Sequence, residues 1–165
     1  MRYGRRMNLP DILALLGFFG AVFVVACSGA YFKPGDWYEN LAKPPWNPPN
    51  WLFPVAWSVF YTLIAIAGWL VWRQVGFGPA LMVYGVHLLL NAAWSAIFFG
   101  LKRPDWAFAE LLVFWLSIVA TIVVFAPISA TAAWLLAPYL VWGSFAGVLN
   151  WSIWQRNRAT GFARG

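Results

Sequence analysis

ILALLGFFGAVFVVACSGAY, residues 12–31, runs for twenty residues without a charged side chain. A helix of that length rises about 30 Å, the thickness of a bilayer's hydrocarbon core. Upstream, Asn8 stands where a helix cap belongs, Leu9 or Pro10 can open the first turn, and Asp11 lies where the helix dipole favours an acid. The same region also fits a cleavable signal, because Arg2, Arg5 and Arg6 precede the apolar run and small residues surround Cys27. The spanning length of the run, and four more like it downstream, favour a membrane helix.

Those further runs cover about 52–73, 80–101, 105–126 and 132–155. With 10–31 they predict an all-α, polytopic protein, a five-transmembrane-helix bundle forming one domain over 1–165. Composition points the same way: 62% of residues are hydrophobic, only 10% are charged, and the mean hydropathy is +0.68. A water-soluble domain needs roughly a quarter of its residues charged, whereas lipid asks for an apolar exterior. The net charge of +6 comes from bases at the span ends. It therefore reads as headgroup anchoring and topology, not as a nucleic-acid surface. A single cysteine, Cys27, and a single histidine, His87, leave no disulfide framework and no multi-Cys or His-rich metal site. Trp37, Trp51, Trp72, Trp106, Trp134 and Trp154 fall near span ends, where interfacial aromatic anchors are expected.

Five spans place the termini on opposite faces. The 32–51 loop, the 102–105 turn and the C-terminal tail then share one face with seven bases: Lys33, Lys43, Lys102, Arg103, Arg156, Arg158 and Arg164. The other face carries four, Arg2, Arg5, Arg6 and Arg73. The positive-inside rule leans toward a cytoplasmic loop, although three of those four adjoin the first helix. Helical spans favour a bacterial inner membrane, since outer-membrane proteins are ordinarily barrels.

Between the first two spans lies FKPGDWYENLAKPPWNPPNWLFPVAW, residues 32–57, with six of the chain's eleven prolines and four tryptophans. Such a stiff aromatic loop is suited to cap a binding site. Polar residues inside spans are expensive and usually turn inward. In the third helix Tyr84, His87, Asn91 and Trp94 form one stripe, and in the fifth Tyr139, Trp142, Ala146 and Asn150 form another. Trp57, Tyr61 and Gly68 align in the second helix, and Glu110, Phe114, Ser117 and Thr121 in the fourth. Facing one another, these stripes would wall a cavity for a large, planar, mostly apolar ligand. Plainer readings stand beside this one. Asn91 and Asn150 serve equally as interhelical glue, and His87 either ligates a porphyrin iron or hydrogen-bonds a neighbouring helix. Glu110 can reach headgroup water, and the tryptophan stripes can be packing alone. Gly78, Gly85 and Ala92, spaced by seven, would let two third helices pack closely in a dimer.

Several of these stretches together resemble the TspO/MBR family of translocator proteins and peripheral-type benzodiazepine receptors, here in a bacterial, tryptophan-rich sensory form. Trp37-Tyr38, the run from Lys43 to Trp51 (KPPWNPPNW), and Pro54-Val55-Ala56-Trp57 with Tyr61 match its first loop and second helix. Asn91-Ala92-Ala93-Trp94, Phe98-Phe99-Gly100, Pro138-Tyr139-Leu140-Val141-Trp142 and Leu149-Asn150 continue the match from about residue 10 to 157. The resemblance implies a five-helix bundle, usually dimeric, that binds porphyrins and haem-related tetrapyrroles, sterols, and isoquinoline or benzodiazepine ligands. It implies a transporter or sensor role with no required cofactor, or a light-dependent degradation of porphyrin that uses pocket tryptophans. Its pocket would be lined by Trp37, Tyr38, Trp46, Trp57, Asn91, Trp94, Trp142, Ala146 and Asn150. His87 joins them where animal members commonly carry Gln. Lys33 and Lys43 would meet ligand carboxylates. The sterol-recognition pattern of animal members reads Leu149, Trp151, Arg156 here, with Trp where Tyr belongs. Some bacterial relatives are assigned to the outer membrane.

Overall fold

The computed structural model describes residues 7–162; Arg2, Arg5, Arg6 and Arg164 of the charge count lie outside them. Five of its helices are long and apolar enough to cross a membrane. They are α1 (Leu9–Tyr31), α3 (Leu52–Val75), α4 (Pro79–Ser95, extended to Gly100 by a wide turn), α5 (Pro104–Phe125) and α6 (Ala130–Asn157). A one-turn helix, α2 (Asp36–Glu39), interrupts the first loop. The helices contact one another in the ring order α1, α3, α6, α5, α4 and back to α1.

The helix starts follow from local chemistry. In α1, Asn8 Oδ1 accepts the Asp11 N–H at 3.0 Å while Asp11 Oδ2 accepts the Asn8 N–H at 3.1 Å, a reciprocal cap. Proline in the first turn opens α1, α4 and α5, where its missing N–H has no intrahelical partner to lose. Ser129 caps α6 by accepting from the Ala132 N–H. Asp11 does more than cap: it is buried, pairs with Arg73 of α3 at 3.6 Å, and its carbonyl accepts the Trp69 indole N–H at 2.9 Å. These bonds tie the start of α1 to the end of α3.

Packing inside lipid has no hydrophobic drive, so close approach and hydrogen bonds must hold the helices. Gly68 marks one such approach, because a Cβ there would meet Phe18 of α1 and Tyr84 of α4 at 2.8–2.9 Å. Ser28 of α1 donates to the Ala92 carbonyl of α4 at 2.8 Å. Ala92 thus meets α1 within the chain, while Gly78 and Gly85 of the same stripe face open space. Hydroxyls directed at lipid are satisfied internally: Ser58 and Thr62 donate to carbonyls one turn back, at 2.7 and 2.9 Å.

After Ser95, α4 widens into a π-turn over Ala96–Gly100, and the Leu101 N–H donates to the Ala96 carbonyl five residues back at 2.9 Å. Phe98 and Phe99 are thereby presented side by side to the first loop. Gly100 allows Phe32 to close over the turn, since a Cβ would stand 2.7 Å from that ring.

Candidate site beneath the first loop

The loop is docked, not suspended. Trp37 and Tyr38, on α2, are 6% and 4% exposed and pack with Leu41, Phe98, Leu149 and Ile153. Both rings meet Phe98 edge-on, at 5.8 and 6.2 Å, and Tyr38 also meets Phe99 at 5.5 Å. This face borders water, so the hydrophobic effect operates, at roughly 2–3 kcal/mol for each aromatic side chain fully buried. Trp37 is therefore no interfacial anchor, as its position near a span end predicted, but a plug in the loop's own small core. Its indole N–H donates to the Phe162 carbonyl at 3.0 Å.

A residue that the sequence reading missed secures the loop from the other end. The Asn157 carboxamide, in the last turn of α6, accepts the Ala42 N–H at 2.9 Å and donates to the Ala42 carbonyl at 3.0 Å. It pairs with the loop backbone as a neighbouring strand would. Its spacing of seven from Asn150 was the available signal, placing both amides on one helix face. The same contacts put the loop and the C-terminal end of α6 on one face of the bundle.

Lys43 is engaged within the loop. Its ammonium donates to the Glu39 carbonyl at 3.0 Å, lies 3.6 Å from the Glu39 carboxylate and sits 4.5 Å over the Tyr38 ring. The other Glu39 oxygen accepts from Asn50 at 2.7 Å. Burial pushes the Tyr38 hydroxyl above its ordinary pKa, opposed by its hydrogen bond to Asn47 and reinforced by the Glu39 charge. Lys33 is exposed.

Beneath the loop, between α3 and α6, aromatic rings fill the space. Trp46, 46% exposed, meets Phe145 at 5.9 Å. Trp142 lies 5.4 Å from Phe145, 6.1 Å from Phe53 and 5.6 Å from Phe60. Its indole nitrogen is buried without a hydrogen-bond partner. Trp57 stacks on Tyr61 at 5.3 Å and meets Tyr139 edge-on at 6.2 Å. Ala146 is half-buried at the margin of this cluster. A groove of about 470 Å³ opens instead on the outer wall between α1 and α3, with Phe19, Phe23, Ser58 and Tyr61 among its lining.

Deeper still, the polar residues of three stripes meet. Tyr61 of α3 donates to Asn91 Oδ1 of α4 at 3.1 Å, and Asn91 Nδ2 donates to the Tyr139 hydroxyl of α6 at 2.6 Å. That hydroxyl lies 3.0 Å from His87 Nε2. His87 is 1% exposed and stacks on Phe114 of α5 at 5.8 Å. A separate link joins the loop-side ends: Trp94 donates to Asn150 Oδ1 at 3.1 Å, and Asn150 Nδ2 donates to the Pro104 carbonyl at 2.7 Å.

The ten predicted site residues thus fall into three layers. Trp37 and Tyr38 lie in the loop core, which Trp94 joins to the bundle. Trp46, Trp57, Trp142 and Ala146 lie in the aromatic layer, and His87 and Asn91 in the polar layer below. Asn150 anchors Trp94 on the side of α5. Tyr61 and Tyr139 complete the polar layer. Glu110 is half-buried, and both of its carboxyl oxygens are shielded from solvent without a partner. No group of three or more His, Cys, Asp or Glu side chains is arranged to hold a metal among the described residues.

Comparison with known proteins places this arrangement. The TspO/MBR family model matches residues 13–155. A tryptophan-rich sensory protein of Cereibacter sphaeroides is 40% identical over 151 residues, covering 92% of this chain and 95% of the relative. The protein CrtK of Rhodobacter capsulatus is 42% identical over 147 residues, covering 83% and 91%. The translocator protein of Homo sapiens is 35% identical over 156 residues, covering 90% and 92%.

Proposed function

The chain belongs to the TspO/MBR family, and on that footing we propose that this membrane protein binds porphyrin- and haem-related tetrapyrroles, as their transporter or as a sensor of their metabolism. The observation that carries the reading is the aromatic layer beneath the docked loop: Trp46, Phe53, Phe60, Trp142 and Phe145 pack on one another, and Trp57 stacks on Tyr61 beside them. Flat rings that pack on one another by edge and tilt can part and repack on the faces of a macrocycle. The Trp142 indole N–H, buried and unpartnered, offers a donor to a ligand carboxylate. With Lys43 tied to Glu39, Lys33 is the loop base available to a second carboxylate. No resident cofactor is required. The same aromatic walls accept isoquinoline- or benzodiazepine-type ligands and, less specifically, sterols or lipid. The expected assembly is a homodimer in a bacterial inner membrane with the loop on the cytoplasmic face.

The test is porphyrin titration of the reconstituted protein, followed by tryptophan quenching. Replacing Trp57 and Trp142 together by Phe shrinks two stacking surfaces and removes the Trp142 N–H donor, together worth roughly 1–3 kcal/mol. Affinity should fall about 5- to 150-fold; an unchanged affinity excludes this layer as the site. The stacking of Trp57 on Tyr61, with Tyr139 at its edge, favours a second reading, light-dependent porphyrin degradation by tryptophan-centred radical chemistry. Soret absorbance that disappears only in light, with a new product, selects that reading; a stable shifted band selects the binder.

A further inference from the structure

We propose that Tyr139 and His87 form a redox-active pair, in which Tyr139 refills an electron hole on Trp57 while its hydroxyl proton passes to His87. For its oxidant, a photoexcited tetrapyrrole beside Trp57, the inference rests on the reading above. Three tyrosines lie around this layer, and their partners differ. Tyr61 donates to the Asn91 amide oxygen and Tyr84 to the Ile64 carbonyl, at 3.1 and 3.2 Å. Neither acceptor is a base. Tyr139 faces an imidazole nitrogen, a group that can take up a proton as a base. A phenol that loses an electron must also lose its proton, so Tyr139 alone of the three can be oxidised without carrying that proton as a stranded charge.

The hydrogen-bond directions agree. Asn91 Nδ2 already donates to the Tyr139 oxygen at 2.6 Å, so the hydroxyl hydrogen is directed elsewhere, and His87 Nε2 stands 3.0 Å away. That assignment makes Nε2 the unprotonated nitrogen of a neutral ring. Tyr139 is fully buried, which keeps water from competing for the proton. The electron path is short: the Trp57 and Tyr139 rings meet at 6.2 Å, and Trp142 reaches Tyr139 through Phe60 at 5.6 and 5.8 Å. The steps balance as follows. Trp57 gives one electron to the photoexcited macrocycle and becomes a radical cation. Tyr139 returns one electron to Trp57, the O–H bond breaks, and an N–H bond forms at His87 Nε2. The products are a neutral tyrosyl, an imidazolium and a singly reduced macrocycle. The hole is thus parked away from the ring that faces the ligand, which spares Trp57 from irreversible oxidation.

The test is electron paramagnetic resonance of the full chain in lipid nanodiscs, freeze-trapped under illumination with zinc protoporphyrin. A parallel arm uses an ultraviolet pulse that ionises tryptophan with no porphyrin added. We expect a tyrosyl signal in both arms. It should vanish in Tyr139→Phe, persist in Tyr61→Phe and Tyr84→Phe, and form more slowly in deuterated buffer. His87→Gln keeps a hydrogen-bond acceptor but no base, and should leave a tryptophan radical in place of the tyrosyl, which a merely structural role would not do. A tyrosyl signal that survives Tyr139→Phe, or one that His87→Gln leaves unchanged, overturns the pair. Signal in the ultraviolet arm with none in the porphyrin arm supports the pair and counts against the tetrapyrrole; silence in both arms overturns the pair.

Discussion

Replacing Asn157 with alanine removes the carboxamide that holds both backbone groups of Ala42, at 2.9 and 3.0 Å. Each such bond is worth a net of about 0.5–1.5 kcal/mol, and the freed loop groups can turn to water, so the docked loop loses roughly 1–3 kcal/mol. That free energy multiplies the fraction of molecules with the loop lifted by about 5–150. Trp37 and Tyr38 remain seated on Phe98, which keeps the docked form dominant. If a macrocycle enters beneath the loop, its association and dissociation rates both rise by that factor, while Kd changes little. Stopped-flow quenching with porphyrin measures the rates, and amide exchange over residues 37–51 reports loop lifting independently. Exchange that accelerates while both binding rates stay at wild-type values would refute the loop as the gate. Unchanged exchange would refute the claim that Asn157 holds it.

Three further outcomes follow from the packing. Gly68→Ala places a methyl 2.8–2.9 Å from Phe18 and Tyr84, so overpacking should destabilise the bundle by about 1–3 kcal/mol; an unchanged thermal midpoint in detergent would count against the three-helix contact. Gly100→Ala should push Phe32 off the π-turn, read as faster amide exchange at residues 32–36 with the spans unaffected. Tyr38, pushed above its ordinary pKa of 10.0 by burial, contributes docking stability that is whole below pH 10 and is lost as pH rises toward its folded-state value. Alkaline titration should therefore undock the loop, and Tyr38→Phe should abolish that pH dependence.

The spans were legible because lipid imposes a length and a composition that few other environments ask of twenty consecutive residues. The polar layer was legible for a related reason. A histidine, an asparagine and two tyrosines on apolar helices have nowhere to turn but inward, and Tyr61, His87, Asn91 and Tyr139 do meet. The loop was harder to read. Trp37 near a span end looks the same in sequence whether it lies at the lipid surface or under a loop, and what decides is Phe98, sixty-one residues later on a π-turn with no local signature. Lys43, expected to meet a ligand carboxylate, is held instead by Glu39 four residues back and by the Tyr38 ring, a convergence that needs the one-turn helix α2, which the proline-rich loop sequence does not announce. Asn157 was passed over because an amide in a helix's last turn ordinarily faces solvent.

The π-turn of α4 carries one residue more than an α-helix needs to cover the same rise. Deleting a single residue from 96–100 would let the segment close as ordinary α-helix, at little cost in backbone bonding. The widened turn absorbs that extra residue, so the flanks would keep their phase, but Phe98 and Phe99, which lie inside it, would no longer arrive together under α2. The seat of the loop is in that sense a matter of counting: within α4, chain length across five residues is under tighter constraint than their chemistry.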